Sequence, residues 1–100
     1  MQKYPTSSDK ELIGAFTKLK NAQEVTAFLR DILTAAEIEE FSRRFQIAKL
    51  LWTTRLPYIV IADKVGTSTT TVTRVAQWLN NEPWQGYSTV FKRLYGSSKR

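Results

Sequence analysis

Start signals for α-helices recur along this sequence, and each one precedes apolar residues spaced three or four positions apart. The tetrapeptides Ser8–Glu11 and Thr34–Glu37 fit the capping-box pattern, in which two side chains satisfy free backbone N–H groups of a first turn. Asn21 is a further candidate N-cap. The longest apolar stripe predicts a helix over about residues 35–54, with these positions facing inward: Ile38, Phe41, Phe45, Ala48, Leu51 and Trp52. The sequence therefore predicts an all-α chain.

The second half of the chain predicts two short helices joined by a tight turn, followed by a final helix. Pro57 suits the first turn of the first short helix, which Gly66 ends. Ser68 is the predicted N-cap of the next helix, which extends to about Leu79. The final helix ends at Gly96, and its apolar positions are Tyr87, Val90, Phe91, Leu94 and Tyr95.

One segment conflicts with this assignment when propensity is considered alone. All five residues of Thr69–Thr73 are β-branched, which restricts χ1 in a helix and favours a strand. A single strand would have no partner in an otherwise helical chain, so we predict a helix here as well.

Composition limits both the size and the chemistry of the chain. Its 100 residues correspond to one domain, with a flexible arm over residues 1–7 and a basic, disordered tail over 97–100. The absence of cysteine and histidine excludes disulfides, thiolate nucleophiles, imidazole bases and ordinary zinc sites. The carboxylates show no metal-ligand motif, so we expect no enzyme activity, metal or cofactor. We find no membrane span or signal peptide and expect a cytoplasmic protein.

Charge is distributed unevenly along the chain. Residues 1–42 contain five basic and seven acidic side chains, whereas residues 43–100 contain ten basic side chains and only Asp63 and Glu82 as acids. Lysine and arginine displace counterions that condense on phosphates, so a basic half suggests a polyanionic partner. A positive charge also keeps a small domain soluble, and charge alone does not decide between these interpretations.

The segment Tyr58–Trp78 has the pattern of a helix-turn-helix. Small Ala62 allows the two helices to approach closely, and Gly66 can adopt the positive φ of the turn. The inward positions of both helices are apolar, namely Ile61, Val65, Val72 and Val75. Because Ala-x-x-x-Gly also occurs by chance, a plain helical hairpin with solvated threonines is the alternative.

In a helix-turn-helix, the first turn of the second helix enters the major groove of DNA. A threonine hydroxyl can donate or accept a hydrogen bond there, and its methyl group can pack on the thymine methyl. The residues predicted to contact DNA are Ser68, Thr69, Thr70, Thr71, Thr73 and Arg74, with Arg74 near the phosphates. Across residues 57–79 only Asp63 is acidic, which favours DNA binding over the hairpin alternative.

Several residues match a known group of regulators. They are Leu33-Thr34, Glu37, Arg44, Gly66 and Thr71-Val72-Thr73-Arg74. On these residues the chain resembles the Trp repressor superfamily, and over its whole length it is similar to the Trp repressor-related YerC/YecD group. The resemblance implies six helices and a dimer whose chains intertwine through the N-terminal, long and C-terminal helices. The aromatic and aliphatic residues expected to share a core in this dimer are Phe16, Phe28, Leu29, Phe41 and Phe91.

The resemblance also implies a ligand pocket. The two arginines that sandwich the corepressor indole in the repressor correspond to Arg44 and Arg74, and other pocket positions correspond to Leu33, Thr34 and Thr71. Val75 replaces a glycine and Trp78 replaces a serine, so we expect that L-tryptophan does not bind. We favour the alternative that both arginines meet phosphates or carboxylates such as Glu40.

The first helix of the motif differs from the repressor as well. Ile59 and Ala62 occupy positions where the repressor has basic side chains. The resemblance therefore implies fewer phosphate contacts from this helix.

These features predict a homodimeric, sequence-specific regulator of transcription, a repressor, that binds double-stranded DNA and has no membrane partner. They leave the operator and any small-molecule effector open. The alternative is a helical protein-interaction module whose exposed aromatic patch consists of Trp52, Trp78, Trp84 and Tyr87. Because Trp52 and Trp78 lie on apolar stripes, we expect these aromatic residues to pack in the core or the dimer instead.

Overall fold

The structure of the protein, a computed structural model, describes residues 3–100. This part of the chain contains six helices and no strand. The helices are α1 (Ser7–Phe16), α2 (Ala22–Ile32), α3 (Ala35–Thr53), α4 (Tyr58–Val65), α5 (Thr69–Asn81) and α6 (Gly86–Tyr95). The predicted all-α class is therefore confirmed, and the β-branched run lies in the first turns of α5. Within residues 3–100, no helix has the length and hydropathy to cross a membrane.

Side-chain caps fix most of the helix starts that the sequence predicted. The Asn21 side chain accepts a hydrogen bond from the Glu24 N–H at 2.9 Å and caps α2. Thr34 and Glu37 form the predicted capping box of α3, with reciprocal hydrogen bonds of 2.9 and 3.1 Å. The connection between α2 and α3 is short, because α2 ends at Ile32 and the Thr34 cap begins α3 at Ala35.

The predicted start of α1 is wrong by two residues. The N-cap is Thr6, and Thr6 and Asp9 exchange hydrogen bonds of 2.8 and 3.2 Å in place of the expected Ser8–Glu11 pair. Both tetrapeptides have the same spacing, and the earlier one adds further residues to the helix. The proposed arm therefore loses Ser7 to α1, while its first two residues, 1 and 2, lie outside the described part of the chain.

In the first of two compact units, Met1–Ile38, the described residues 3–38 form no fully enclosed core. Neither α1 nor α2 contains a buried residue. Phe16 and Phe28 form an edge-to-face pair with ring centroids 5.1 Å apart. Leu12 and Ile13 are 41% and 42% exposed, so these helices present apolar side chains to the surroundings.

The second unit, Glu39–Arg100, contains the hydrophobic core. Phe91 of α6 is completely buried, and four aromatic rings lie around it with centroid distances of 5.3 to 5.8 Å. These rings belong to Phe45, Trp52, Tyr87 and Tyr95. The other buried apolar residues of this core are Ile47, Ala48, Leu51, Ile61, Ala62, Val72, Val75 and Ala76.

The C-terminal tail is hydrogen-bonded to the end of α3, so the prediction that it is disordered is wrong. The Lys99 N–H donates to the Trp52 carbonyl at 2.9 Å, and the Arg100 Nε donates to the Leu51 carbonyl at 2.8 Å. The Trp52 indole N–H donates in turn to the Gly96 carbonyl at 2.8 Å. The last carbonyl groups of a helix lack partners within it, and here the tail supplies the donors.

A buried carboxylate joins the end of α5 to the start of α6. Glu82 is 6% exposed and accepts hydrogen bonds from the N–H groups of Tyr87 and Ser88 at 3.0 and 3.1 Å, and from the Ser88 hydroxyl. These N–H groups belong to the first turn of α6, where the helix itself offers no acceptor. Glu82 therefore fixes the direction in which the chain enters α6.

Candidate nucleic-acid interface

The helix-turn-helix consists of α4, a turn at Gly66, and α5. Gly66 has the left-handed backbone conformation with φ of 78°, and its N–H donates to the Ala62 carbonyl at 2.9 Å. Ile61 and Val72 are completely buried, and Ala62 and Val75 are 4% and 8% exposed. The predicted packing of these two helices is thus confirmed, with Val65 only partly buried at the edge of the core.

The N-terminus of α5 is a polar surface, and a side-chain hydrogen bond caps the helix there. Ser68 is the N-cap, as predicted, and its Oγ accepts a hydrogen bond from the Thr71 N–H at 3.1 Å. Ser68, Thr69 and Thr70 are exposed, whereas Thr71 and Thr73 are partly buried. The first turn contains no acidic residue. Because the N-terminus of a helix carries a partial positive charge, this surface suits an anion such as a phosphate.

Arg74 adds a full positive charge beside this turn. Its side chain is exposed, and it forms no ion pair or hydrogen bond with any residue among 3–100. Other basic residues of the second unit do have partners, since Arg43 pairs with Glu40 at 3.1 Å. The guanidinium of Arg74 is therefore available to a group outside the chain.

The outer surface of α4 contrasts with that of α5. Ile59 is 69% exposed, and Ala62 is buried against the core. Neither residue supplies a positive charge, so Lys64, which is exposed, is the one basic residue of this helix.

A cavity of about 520 Å³ lies beside α5. Its lining residues are Glu40, Arg44, Thr71, Arg74, Val75, Trp78 and Tyr87. The structure therefore brings together Arg44, Arg74 and Thr71, three of the five residues that the resemblance assigned to a ligand pocket. The other two, Leu33 and Thr34, belong to the first unit, where Leu33 ends α2 and Thr34 caps α3.

The two arginines of the cavity have different partners. The Arg44 Nε lies 3.5 Å from a Glu40 carboxylate oxygen, and its guanidinium lies 5.5 Å from the centre of the Phe41 ring. The predicted carboxylate contact is thus found for Arg44. Arg74 makes no such contact, so one arginine of the cavity has a carboxylate partner, which it shares with Arg43, and the other has none among residues 3–100.

Val75 and Trp78 form part of the cavity wall without closing it. Val75 is 8% exposed, whereas Trp78 is 56% exposed. The sequence predicts that these larger side chains keep L-tryptophan out of the pocket. The cavity of about 520 Å³ beside them shows that they leave the pocket open and contribute apolar lining to it.

Tyr87 contributes a phenol to the same cavity. Burial raises the pKa of this hydroxyl above its ordinary value; the nearby Arg44 acts in the opposite direction and Glu82 acts in the same direction. The phenol therefore stays protonated at neutral pH and can donate a hydrogen bond.

The four aromatic residues considered as a patch separate into two groups. Trp52 is buried, as predicted. Trp78 and Trp84 are 56% and 63% exposed, so the prediction that they pack in the core of one chain is wrong. Together with Tyr87 they line a groove of about 420 Å³, completed by Phe45, Glu82, Gly86 and Val90. A surface of this kind is typical of an interface rather than of a solvated face.

Comparison with known proteins gives consistent results over nearly the whole chain. A family model described as Trp repressor protein matches residues 8–95. An uncharacterized protein of Bacillus subtilis (strain 168), YerC, is 31% identical over 70 residues, a match that covers 70% of this chain and 66% of that relative. This stretch is slightly less than two thirds of the relative's length.

Two crystal structures share the fold. A TrpR-like protein from Eubacterium eligens ATCC 27750 is 38% identical, with a TM-score of 0.81 over 95% of this chain and 96% of that one. A protein from Staphylococcus aureus, provisionally assigned as a Trp repressor, is 29% identical, with a TM-score of 0.82 over 93% and 91% of the two chains. Both matches extend over nearly the whole of this chain, including the helix-turn-helix.

Proposed function

Because the chain belongs to the Trp repressor family, a family of DNA-binding regulators, we propose that it is a homodimeric repressor that binds a specific double-stranded DNA sequence. In this proposal the first turn of α5 enters the major groove, and Ser68, Thr69, Thr70, Thr71, Thr73 and Arg74 form the contact surface. The packing of α4 against α5 holds that surface in place.

The observation that carries the proposal is the combination of an exposed, acid-free helix N-terminus with the unpaired charge of Arg74. An exposed threonine in a first turn gives the folded chain no clear advantage over serine or alanine when only water surrounds it. In the major groove, the same side chains have partners on the base edges for both their hydroxyl and their methyl groups. Arg74 would neutralise a phosphate and release a counterion.

The first unit supports the dimeric part of the proposal. Its helices bury no residue, and they expose Leu12, Ile13 and Ile32 by 41%, 42% and 44%. A second copy of the chain would cover such side chains, since removing apolar surface from water stabilises an assembly by roughly 25 cal/mol per Å². Two-fold symmetry would then place two copies of α5 about one DNA turn apart.

We further propose that L-tryptophan is not the corepressor. Val75 and Trp78 line the cavity beside α5 at positions where the repressor has a glycine and a serine, and Arg44 is engaged by Glu40. Inserting extra side-chain atoms into a fitted site typically costs about 1–3 kcal/mol per substitution. DNA binding would then be constitutive or controlled by another signal.

Selection of binding sites from random duplexes, followed by sequencing, tests the proposed function. We expect enrichment of a palindrome whose half-sites are about one helical turn apart, with binding that weakens as salt rises. Arg74→Ala is the matched variant, because Arg74 is exposed and has no partner in residues 3–100. Recovery of unrelated sequences, or retention that does not depend on salt, would contradict the proposal.

A protein-interaction module is the second candidate, and the exposed groove beside Trp78 and Trp84 favours it. Under this hypothesis Trp84→Ala would abolish a protein contact, and Arg74→Ala would leave it intact. A binding assay with duplex DNA and the purified chain distinguishes the two candidates, since only the first predicts salt-sensitive retention.

A further inference from the structure

The hydroxyl groups at the start of α5 are not equivalent, because some of them are already occupied. The side chains of Ser68 and Thr71 are hydrogen-bonded to each other, with 3.0 Å between their oxygens, and the Ser68 Oγ also accepts a hydrogen bond from the Thr71 N–H. This pair satisfies the end of the helix. Replacing a serine N-cap with alanine typically destabilises a helix, which indicates a structural role for the pair.

The hydroxyl of Thr73 is occupied in a different way. It donates to the Thr69 carbonyl, four residues earlier, at 2.9 Å. The same bond is made in other helices of the chain, or directly at their ends, by Thr26, Thr53, Thr54 and Thr89. It is the usual state of a threonine that has a helical carbonyl one turn behind it. Since a hydroxyl has a single hydrogen, Thr73 in this state can accept a hydrogen bond but cannot donate one.

Thr69 and Thr70 lack this option because of their place in the helix. They are its first two residues, so the residues four positions earlier are Val65 and Gly66, which belong to the end of α4 and the turn. Both threonines are exposed, and their hydroxyl groups form no hydrogen bond with any residue in 3–100. Each therefore has a hydrogen that is free to donate and a methyl group beside it.

We infer that Thr69 and Thr70 read the DNA sequence as hydrogen-bond donors, and that Thr73 contributes its methyl group to the groove and no hydrogen-bond donor. This inference rests on the proposed DNA-binding function. Free hydroxyl hydrogens match the acceptors of the major groove, which are guanine N7 and O6, adenine N7 and thymine O4. Thr73, with its hydrogen retained by the helix, offers its methyl group, whose natural partner is the thymine C5-methyl.

Paired valine and serine variants separate the two roles. Valine keeps the branched shape of threonine and removes the hydroxyl, whereas serine keeps the hydroxyl and removes the methyl group. Against the selected site, we expect Thr69→Val and Thr70→Val each to lose roughly 5- to 150-fold in affinity, the range of one base-reading contact. Thr73→Val, the matched control on the same helix, should stay within about twofold of the wild type.

The serine variants should show the opposite order. Thr70→Ser keeps its donor and should change affinity less than Thr70→Val does. Thr73→Ser should weaken binding, and replacing thymine by uracil in the site should remove the difference between Thr73→Ser and the wild type. Circular dichroism and thermal melting of each variant identify any that have lost their fold, and only folded variants are compared.

The outcomes distinguish this inference from the proposed function. If the wild-type chain shows no sequence-selective binding to duplex DNA, both fail. If the wild type binds selectively but Thr73→Val is as damaging as Thr70→Val, the division of roles is overturned and the function stands. A loss confined to Thr69→Val and Thr70→Val, measured on the selected site and not on an unrelated duplex, supports the inference.

Discussion

The two compact units of this chain differ in how far they bury their apolar side chains. In Glu39–Arg100, Phe91, Ile47, Ile61 and Val72 are completely buried within the unit. In Met1–Ile38, neither helix α1 nor helix α2 has a buried residue, although both contain large apolar side chains. The second unit can thus position its helix-turn-helix with its own core, whereas the first is suited to packing against another chain.

Charge separates the same two regions. Residues 39–100 contain ten basic and four acidic side chains, and residues 1–38 contain five of each. The excess positive charge is therefore confined to the unit that contains α4 and α5. Under the proposed function, assembly and DNA contact fall in different parts of the sequence, so substitutions in the two parts should have separable effects.

The largest effect should come from removing the centre of the second unit's core. Phe91 is completely buried among four aromatic rings, so Phe91→Ala should lower the free energy of unfolding by about 3–5 kcal/mol. Phe16→Ala is the matched change in the first unit, where the ring is 36% exposed and contacts Phe28. Within one chain we expect it to cost only about 1 kcal/mol.

Urea unfolding at several protein concentrations checks this contrast. The stability of a dimer depends on protein concentration, so Phe16→Ala should shift that dependence to higher concentrations. Phe91→Ala should destabilise the protein at every concentration. If Phe16→Ala were as costly as Phe91→Ala in a chain that sediments as a monomer, the first unit would have a core of its own and the comparison would be wrong.

Removing the buried cap of α6 should have the next largest effect. Glu82→Ala leaves two N–H groups of α6 and the Ser88 hydroxyl without their acceptor, and we expect a loss of about 2–3 kcal/mol in the free energy of unfolding. Glu11→Ala, an exposed change in α1, should stay within about 0.5 kcal/mol. Thermal unfolding of the two variants compares them directly, and equal shifts would contradict the role assigned to Glu82.

Arg74→Ala should change DNA binding and leave stability unaltered. Its guanidinium forms no ion pair or hydrogen bond with any residue among 3–100, so the variant should melt like the wild type. Affinity should fall on all duplexes alike, and the slope of log affinity against log salt should decrease by about 1 for each phosphate that the variant no longer neutralises. Fluorescence anisotropy at several salt concentrations measures both. A weakening restricted to one sequence would instead indicate that Arg74 reads a base.

L-tryptophan should have no effect at all. Calorimetric titration should give no saturable heat, and the affinity for the selected site should be the same with and without the amino acid. Saturable heat accompanied by tighter operator binding would show that the cavity bounded by Val75 and Trp78 accommodates the indole after all.

Much of this fold could be predicted because its determinants are local. The caps at Asn21, Thr34 and Ser68 depend on side chains three residues from the groups they bind, and the left-handed turn requires a residue such as Gly66. The start of α1 was misplaced because two capping-box patterns overlap there, at Thr6 and at Ser8. Spacing alone does not choose between them.

The features that were missed depend on contacts between distant residues. The tail was expected to be disordered, but Lys99 and Arg100 donate to carbonyl groups about half the chain away, at Trp52 and Leu51. The proposed division of roles among the threonines also depends on the structure, because Thr73 donates to a helical carbonyl and is partly buried, whereas Thr70 is exposed and has no such acceptor.

Changing the spacing of the selected half-sites tests the central claim most directly, since it requires one dimer to present two copies of α5. Inserting about five base pairs between the half-sites turns one of them to the opposite face of the duplex, because one helical turn is about 10–10.5 base pairs. We predict that affinity then falls to that of an isolated half-site, while the protein remains a dimer in sedimentation. Unchanged affinity for the expanded site would contradict the account.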